Sequence, residues 1–475
     1  MVFINFLIKP FWVFGIDRTV QNKLGEQEYG LYFAIFNFTY LFQILLDFGL
    51  QNYNNREVAA DNKKIDELLP GILILKTILF LIYLVICIAV AYPLGYLSKP
   101  FIWIILVNQI LLSFNIYLRS NISAHQQFIK DALLSVLDKL LMIVFCAALI
   151  WGDFASLQLS IFNFVLAQLA AYFITFLVCF YFAVQLTNTF VIKFDWKKYY
   201  RIAQQTLPYA IIYFLMTTYY RIDGVMLEKL QGANGAIETG IYAQGYRIME
   251  SLNNIGYLFA GILLPLFAFK LTKNMEIKSL LKSGISIMFG VSVSMIVVFY
   301  YYKFDIMQLL YPNSDIAYSA NVFGYLLLNF FPVAILYVIG TLLTANKNFR
   351  WMIYTLLIAV FLNIGLNFYL ITNYGAKGAA QATLITQLFM LVCYTVFAIR
   401  IFKLKINFIY SFKLLLFTVL CFMILFLFKN VRLHPHETIN LVVHILLYFA
   451  FIPIISMLSG LINRQTFQLR VGIDK

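Results

Sequence analysis

Four polar residues recur at helical spacing within an otherwise apolar stretch of the sequence. Gln244, Arg247, Ser251 and Asn254 are separated by three, four and three positions, which places them on one face of an α-helix. Glu250 lies beside them. An arginine on such a face can bind an anionic ligand, because its guanidinium presents a planar fork of N–H donors to oxyanions. Alternatively, a salt bridge between Arg247 and Glu250, one turn apart, serves packing alone.

A second set of charges occurs earlier in the chain. Arg221 and Asp223 lie near the end of one apolar segment, and Asp17 and Arg18 end another. Arg221 is a candidate phosphate ligand or, alternatively, an arginine that reaches the membrane surface. Asp17 and Arg18 are neighbours, which do not face each other on a helix. We therefore expect either one to meet Arg221 or Asp223 in a gate, with solvated helix ends as the alternative.

The composition indicates which elements position these residues. The 475 residues are 62% hydrophobic and only 12% charged, with a mean hydropathy of +0.84, whereas soluble domains are nearer half apolar. The chain is therefore a polytopic membrane protein. A helix needs about 20 apolar residues to cross a bilayer. Fourteen segments of roughly this length occur, at 1–17, 30–50, 70–92, 101–118, 132–150, 158–185, 206–227, 239–268, 284–302, 318–343, 352–372, 378–399, 412–428 and 440–462.

Two further lysine–aspartate pairs fall within these spans. An ionisable side chain at the centre of a span costs about 2.5–3.5 kcal/mol, so each needs a partner or an aqueous cavity. Asp47 can pair with Lys76 of the next span and is a candidate for gating or coupling. Asp138 and Lys139 are adjacent, and we expect them near the cytoplasmic end of span 5.

Lysine and arginine are distributed unevenly between the predicted loops. Twenty-two follow even-numbered spans or lie in the C-terminal tail, and eight follow odd-numbered spans. By the positive-inside rule both termini are cytoplasmic, so the net charge of +14 is mainly a topology signal. Nucleic acid is not an expected partner.

The sequence indicates no catalytic chemistry. All predicted loops are short, which excludes a large catalytic domain outside the membrane, and no nucleotide-binding or hydrolase motif occurs. The five cysteines are scattered singly. We therefore predict no catalytic residue, no metal site and no cofactor.

The sequence repeats itself after six spans. IDRTVQNKLGEQEYGLY at 16–32 returns as IDGVMLEKLQGANGAIETGIY at 222–242, and two weaker matches follow in the same order. Because six is even, both halves share one orientation, as in transporters whose substrate site lies between two lobes. We predict an all-α fold with two six-helix lobes around a central cavity and an appended helix pair. The corresponding ranges are 1–200, 201–405 and 406–475.

Two segments of the chain resemble a known family. GEQEYGLYFAIFNFTYLFQILLDFGLQNYNNREVA at 25–59 and YYRIDGVMLEKLQGANGAIETGIYAQGYRIMESL at 219–252 are similar to Wzx-type oligosaccharide flippases. These form the polysaccharide-biosynthesis branch of the multidrug/oligosaccharidyl-lipid/polysaccharide (MOP) exporter superfamily. The similarity extends over nearly the whole chain.

The resemblance implies a transporter that moves an undecaprenyl-diphosphate-linked repeat unit, such as that of the O-antigen of lipopolysaccharide. The movement is from the inner to the outer leaflet of the bacterial inner membrane, by alternating access through a cationic cavity. The residues that match the cavity are Arg18, Arg221 and Arg247. The implied partners are the lipid-linked oligosaccharide, membrane lipid, and a polysaccharide polymerase and chain-length regulator. Coupling to a proton or a sodium ion is left open.

Three alternatives remain open from the sequence. A MATE-like drug or cation antiporter of the same superfamily should use acidic cavity residues, for which Asp223 and Glu250 are candidates. A flippase for the peptidoglycan lipid precursor would share both the fold and the chemistry. An integral-membrane polymerase or ligase, the remotest alternative, should have a long non-cytoplasmic loop.

Overall fold

The computed structural model of the protein describes residues 8, 10–152, 158–189, 196–404, 407–428 and 436–461. Within these residues the chain is helical and forms no strand, so the predicted all-α fold is confirmed. A short π-helix at Phe11–Asp17 precedes the first α-helix. The α-helices are α1 Arg18–Leu41, α2 Leu50–Ala60, α3 Ile65–Ala91, α4 Phe101–Ala124, α5 Phe128–Trp151, α6 Ile161–Val184, α7 Trp196–Leu230, α8 Gly235–Thr272, α9 Lys278–Tyr301, α10 Lys303–Leu310, α11 Ile316–Leu328, α12 Phe330–Ala345, α13 Phe349–Phe402, α14 Phe408–Phe428 and α15 Glu437–Leu458.

Ten helical stretches in the described part of the chain are long and apolar enough to cross a membrane. Nine of them correspond to one predicted span each, and α13 carries two. At Gly375 (φ 56°) its backbone leaves the helix, and Gly378 then packs on the carbonyl of Leu370 without room for a β-carbon. Predicted spans 2 and 7 correspond to α1 and α7, which carry Arg18 and Arg221 and are not among the ten. Predicted span 1 lies partly outside the described residues.

Residues 1–243 form one compact unit, in which α7 and the start of α8 join the first six predicted spans. Two asparagines of α4 donate side-chain hydrogen bonds to backbone carbonyls of α6, Asn108 to Val165 at 3.3 Å and Asn115 to Tyr172 at 3.1 Å. Both partners are seven residues apart, so the two bonds hold the helices in one register. The predicted lobe boundary at residue 200 was derived from the sequence repeat and not from compactness, so it stays a prediction.

Predicted span 2 is interrupted in the structure, contrary to the single helix expected for residues 30–50. α1 ends at Leu41, a 3₁₀ turn covers Gln43–Leu46, and α2 begins at Leu50. Phe48 and Gly49 between them have positive φ angles of 47° and 81°. A break inside a membrane helix frees backbone carbonyls, which then need donors from elsewhere in the protein.

Lys76 of α3 supplies such donors. Its ammonium is 2.8 Å from the carbonyl oxygen of Leu46, 2.8 Å from Ser113 Oγ and 3.2 Å from Asp47 Oδ1. The residue is only 1% exposed. The predicted pairing of Asp47 with Lys76 is therefore confirmed, and the lysine stabilises the break in span 2 by pairing a carbonyl that the helix leaves free.

Residues 244–475 form the second unit, described as far as Leu461. Predicted span 10 is divided at Asn329 between α11 and α12. Pro332 lies four residues after Leu328, the last residue of α11. Because proline has no N–H to donate to the carbonyl of Leu328, the helix breaks at this point.

The appended helices α14 and α15 pack on α9 within the second unit. Tyr410 and Ser286 share a hydrogen bond of 2.9 Å, and Tyr302 Oη lies 2.9 Å from Nδ1 of the buried His444. Apolar side chains of all three helices form the cluster between these bonds, with Val298, Phe417, Cys421, Leu441 and Tyr448 among its buried members.

Replacing Lys76 with methionine should destabilise the protein by about 1–3 kcal/mol, because the partly exposed Asp47 loses its ion-pair partner and the Leu46 carbonyl keeps only the hydrogen bond from Ser113. The thermal unfolding midpoint of the detergent-solubilised chain measures the effect. Lys63→Met is the control, since Lys63 is exposed. Equal midpoints for the two variants contradict the stabilising role of Lys76.

Candidate functional site

The polar stripe predicted in span 8 lies on one continuous helix, α8. The Arg247 guanidinium donates to Glu250 Oε2 at 3.1 Å, so the pair considered in the sequence is formed. Ser251 Oγ donates to the carbonyl of Arg247 at 3.0 Å, and Asn254 Nδ2 donates to that of Glu250 at 3.1 Å. The stripe is therefore ordered by bonds along its own helix, and its role in substrate binding stays a prediction.

The ion pair in this stripe is partly accessible. The Arg247 side chain is 12% exposed and that of Glu250 is 33% exposed. Solvent weakens such a pair, so an oxyanion with more charge can compete with Glu250 for the guanidinium. Gln244 is buried instead and hydrogen-bonds with Ser314, the residue before the N-cap of α11, at 3.2 Å.

Arg221 of α7 is half-buried and rests on α1, and its role as a phosphate ligand or as an arginine that reaches the membrane surface stays a prediction. Its Nη1 donates to Asn37 Oδ1 at 3.2 Å, and its guanidinium carbon lies 4.6 Å from the ring centroid of Tyr40. Asn37 is buried against Gly224, where a β-carbon would come within 2.8 Å of the asparagine amide nitrogen. A hydrogen bond and a cation–π contact together fix the guanidinium plane.

The two repeated aspartates are both deeply buried. Asp17 is 2% exposed and Asp223 is 1% exposed. Tyr29 Oη donates to Asp17 Oδ2 at 2.7 Å, and Tyr242 Oη donates to Asp223 Oδ2 at 3.0 Å. Each copy of the repeat thus holds its aspartate with a tyrosine from the helix that follows. Pairing of either aspartate, or of the half-buried Arg18, across a gate stays a prediction.

Asp138 and Lys139 do not lie near a helix end, contrary to the expectation from the sequence. α5 begins at Phe128, earlier than predicted, so these are the eleventh and twelfth of its 24 residues. The Lys139 ammonium lies 3.3 Å from Asp138 Oδ2 and 5.9 Å from the ring centroid of Trp12. A charged pair is therefore present at the middle of this helix.

The two copies of the repeated phrase contact each other within the first unit. Gly30 packs on the carbonyl of Ala236, and Gly240 packs on the carbonyl of Glu26, in both cases without room for a β-carbon. Gly30 and Gly240 are equivalent in the repeat, as are Glu26 and Ala236, so the contact is symmetric. Gln21 Nε2 also donates to the carbonyl of Gly240 at 2.9 Å. Small residues allow such close crossings between membrane helices.

The sequence matches the family described as polysaccharide biosynthesis protein over residues 18–271. This segment is more than half of the chain and contains every predicted site residue except Asp17. The chain belongs to the polysaccharide biosynthesis protein family. No curated protein sequence matches it.

Solved structures show the fold to which this family member belongs. Lipid II flippase MurJ in an inward closed conformation matches with a TM-score of 0.72 and 14% identity, over 96% of this chain and 98% of that one. An inward-facing multidrug resistance MATE family transporter of the MOP superfamily matches with a TM-score of 0.62 and 16% identity. That match covers 84% of this chain and 95% of the other. The protein is a multi-pass membrane protein with the fold of MOP superfamily transporters.

Several contacts of the candidate site were not predicted from the sequence. Asn37 and Tyr40 lie in predicted span 2, and nothing in the sequence linked them to Arg221. The sequence did contain a signal for the contact between the glycines, because Gly30 and Gly240 occupy the same place in both copies of the repeat. The repeat was interpreted as evidence for two lobes, and contact between its copies requires the tertiary structure.

Replacing Gly240 with alanine should lower the unfolding free energy by about 1–3 kcal/mol, because its β-carbon overlaps the carbonyl of Glu26 and separates the helices. Gly30→Ala should have the same effect. Gly261 lies in the same helix as Gly240 with open space around it, so Gly261→Ala should be neutral or slightly stabilising. Thermal unfolding in detergent tests the three variants; equal midpoints contradict the close crossing.

Proposed function

We propose that this member of the polysaccharide biosynthesis protein family is a lipid-linked oligosaccharide flippase. It moves an undecaprenyl-diphosphate-linked repeat unit, of the kind used for O-antigen and other surface polysaccharides, from the cytoplasmic to the periplasmic leaflet of the inner membrane. Both termini are proposed to be cytoplasmic, and a polysaccharide polymerase and a chain-length regulator act on the exported unit. The proposed activity is transport alone, and this chain is proposed to catalyse no reaction.

The arrangement of Arg221 carries the proposal. The substrate's diphosphate has about two negative charges, which cannot enter hydrocarbon without replacement of their hydration. Guanidinium groups replace it best, because they donate two parallel hydrogen bonds to phosphate oxygens. The ring of Tyr40 and the side-chain oxygen of Asn37 hold the Arg221 guanidinium in a fixed orientation. Arg247 and Arg18 are proposed as the other cationic ligands.

The bonding of the acidic residues argues against a drug or cation antiporter. Such a transporter should offer acidic side chains to a cation. Asp223 instead accepts a hydrogen bond from Tyr242, and Glu250 is paired with Arg247. Asp223 is therefore bonded within the protein, and the charge of Glu250 is balanced by a neighbouring cation.

The extent of the structural matches favours a lipid flippase as well. The MurJ structure covers 96% of this chain, whereas the MATE structure covers 84%. Residues 406–475, with the appended helices α14 and α15, make up about 15% of the chain. A flippase for the peptidoglycan lipid precursor shares these features. Such a flippase differs from the proposed one in the glycan that it carries and not in its fold.

The buried aspartates are proposed as gating or coupling groups, together with Asp47. Asp17 and Asp223 lie beside the glycine crossing, which is the place in the first unit where the two copies of the repeat meet. The membrane potential itself assists outward movement of negative charge by about 2.3 kcal/mol per charge for each 100 mV. Whether a proton or a sodium ion contributes is left open by this proposal.

Arg221→Ala and Arg247→Ala should each reduce glycan export on the order of tenfold or more, since each removes charge-assisted hydrogen bonds to phosphate. The variants are expressed in a bacterial strain that lacks its own flippase and makes the matching glycan. Surface polysaccharide and lipid-linked units retained in the inner leaflet are measured together with protein level.

Arg350→Ala is the matched control, because Arg350 is exposed at the start of α13. It should export normally. Normal export by both cavity variants at normal protein level contradicts the assignment of the arginines. Failure of the wild-type chain to restore export with any glycan contradicts the flippase function itself.

A further inference from the structure

Asp138 and Lys139 have no assigned part in the transport proposed above. They form an ion pair at the middle of α5, and the Lys139 ammonium also lies 3.5 Å from Tyr172 Oη. Ionisable groups in the middle of a membrane helix are costly and mark functional sites more often than packing sites. What this pair does can be inferred from its surroundings.

A comparison of two lysines within membrane helices separates a structural role from a binding role. Lys76 donates to three oxygens at 2.8–3.2 Å and is 1% exposed, so its three N–H donors are used. Lys139 has two oxygens at 3.3 and 3.5 Å and Met142 Sδ at 3.8 Å, and 23% of its side chain is exposed. These three contacts are longer and weaker than those of Lys76, so a ligand can replace them more easily.

Aromatic rings surround the Lys139 ammonium. The ring centroids of Tyr172 and Trp12 lie 5.4 and 5.9 Å from it. Trp12 stacks on Phe164 with 5° between the ring planes and 6.1 Å between centroids, which fixes its orientation. Rigid aromatic faces combined with a few polar groups are typical of small-ligand sites.

A small pocket adjoins this cluster and shares Tyr172 with it. Phe36, Asn108, Gln109 and Gln168 also line the pocket, which has room for about one water-sized group. Asn108 and Gln109 are 4% and 2% exposed. Their side-chain oxygens accept no hydrogen bond from the described residues. A buried acceptor without a donor is costly, so a ligand that brings a hydroxyl donor of this size is favoured.

We propose that Trp12, Asp138, Lys139 and Tyr172, with the adjoining amide pocket, form the subsite for the sugar part of the substrate. The inference rests on the proposed flippase function and assigns the glycan to the first unit. Asp138 and Lys139 are together neutral and offer both an acceptor and a donor, as sugar hydroxyls require. A diphosphate requires net positive charge, which Arg221 supplies.

The test uses the purified full-length chain and two lipid probes. One is undecaprenyl diphosphate, and the other is undecaprenyl diphosphate that carries a single sugar, supplied separately with N-acetylglucosamine, glucose or galactose. Native mass spectrometry measures the affinity for each. The wild-type chain should bind at least one glycosylated probe roughly tenfold more tightly than the bare diphosphate.

Three substitutions locate the source of this preference. Lys139→Met and Tyr172→Phe should remove most of it and leave affinity for the bare diphosphate unchanged. Tyr172→Phe keeps the ring and therefore decides the result if Lys139→Met does not fold. Lys130→Met is the matched control, since Lys130 lies at the exposed start of the same helix, and it should bind both probes as the wild type does.

The outcomes distinguish this subsite from the flippase function. Equal binding of bare and glycosylated probes by the wild-type chain overturns the sugar subsite alone. Equal loss of both affinities in Lys139→Met makes the lysine a diphosphate ligand and also overturns it. If the wild-type chain binds neither kind of probe, the flippase function fails and the subsite fails with it.

Discussion

A charge or a free backbone group inside hydrocarbon has to be paired by the protein itself, and the described structure is organised around that requirement. The clearest case is Lys76, which pairs with the carbonyl that the break in span 2 leaves free, with Asp47 and with Ser113. Ser113 also donates to this carbonyl, so two side chains pair the polar backbone that the break leaves free in an apolar environment. The interruption of span 2 and the lysine of span 3 therefore depend on each other.

The same requirement explains how the repeated phrase is used. Asp17 and Asp223 are buried at equivalent positions, and each is held by a tyrosine from the following helix. Gly30 and Gly240 bring those helices close enough for backbone contact. The repeat is thus a packing device as well as a record of internal symmetry. At this crossing, within the first unit, identical small residues join the two hairpins. A substitution at the crossing can therefore alter the packing of the hairpins while the arginines stay unchanged.

The cationic side chains within the helices of this protein differ in how completely they are bonded. That difference separates a cation that stabilises the fold from one that is proposed to bind substrate. Lys76 is saturated by short contacts and is shielded. Arg221 is oriented by Asn37 and Tyr40, and Lys139 has only long contacts in an aromatic surrounding. A diphosphate and a polyhydroxylated sugar place different demands on a site, one for net positive charge and one for balanced donors and acceptors. The two kinds of site fit the two parts of a lipid-linked oligosaccharide.

Hydropathy was enough to predict the membrane class, the helical fold and eleven of the fourteen spans, because about 20 apolar residues can cross a bilayer only as a helix. The spacing within span 8 also indicated the pair of Arg247 and Glu250 as one of two alternatives, since residues one turn apart are neighbours. Most partners that are distant in sequence were decided only by the tertiary structure, and the pair of Asp47 and Lys76 is an exception. Arg221 meets Asn37 across 184 positions, and the hydropathy of span 2 did not indicate the break at which Lys76, from another helix, donates to the Leu46 carbonyl. Local periodicity carries no information on which helices touch, so these contacts emerge only when the helices pack.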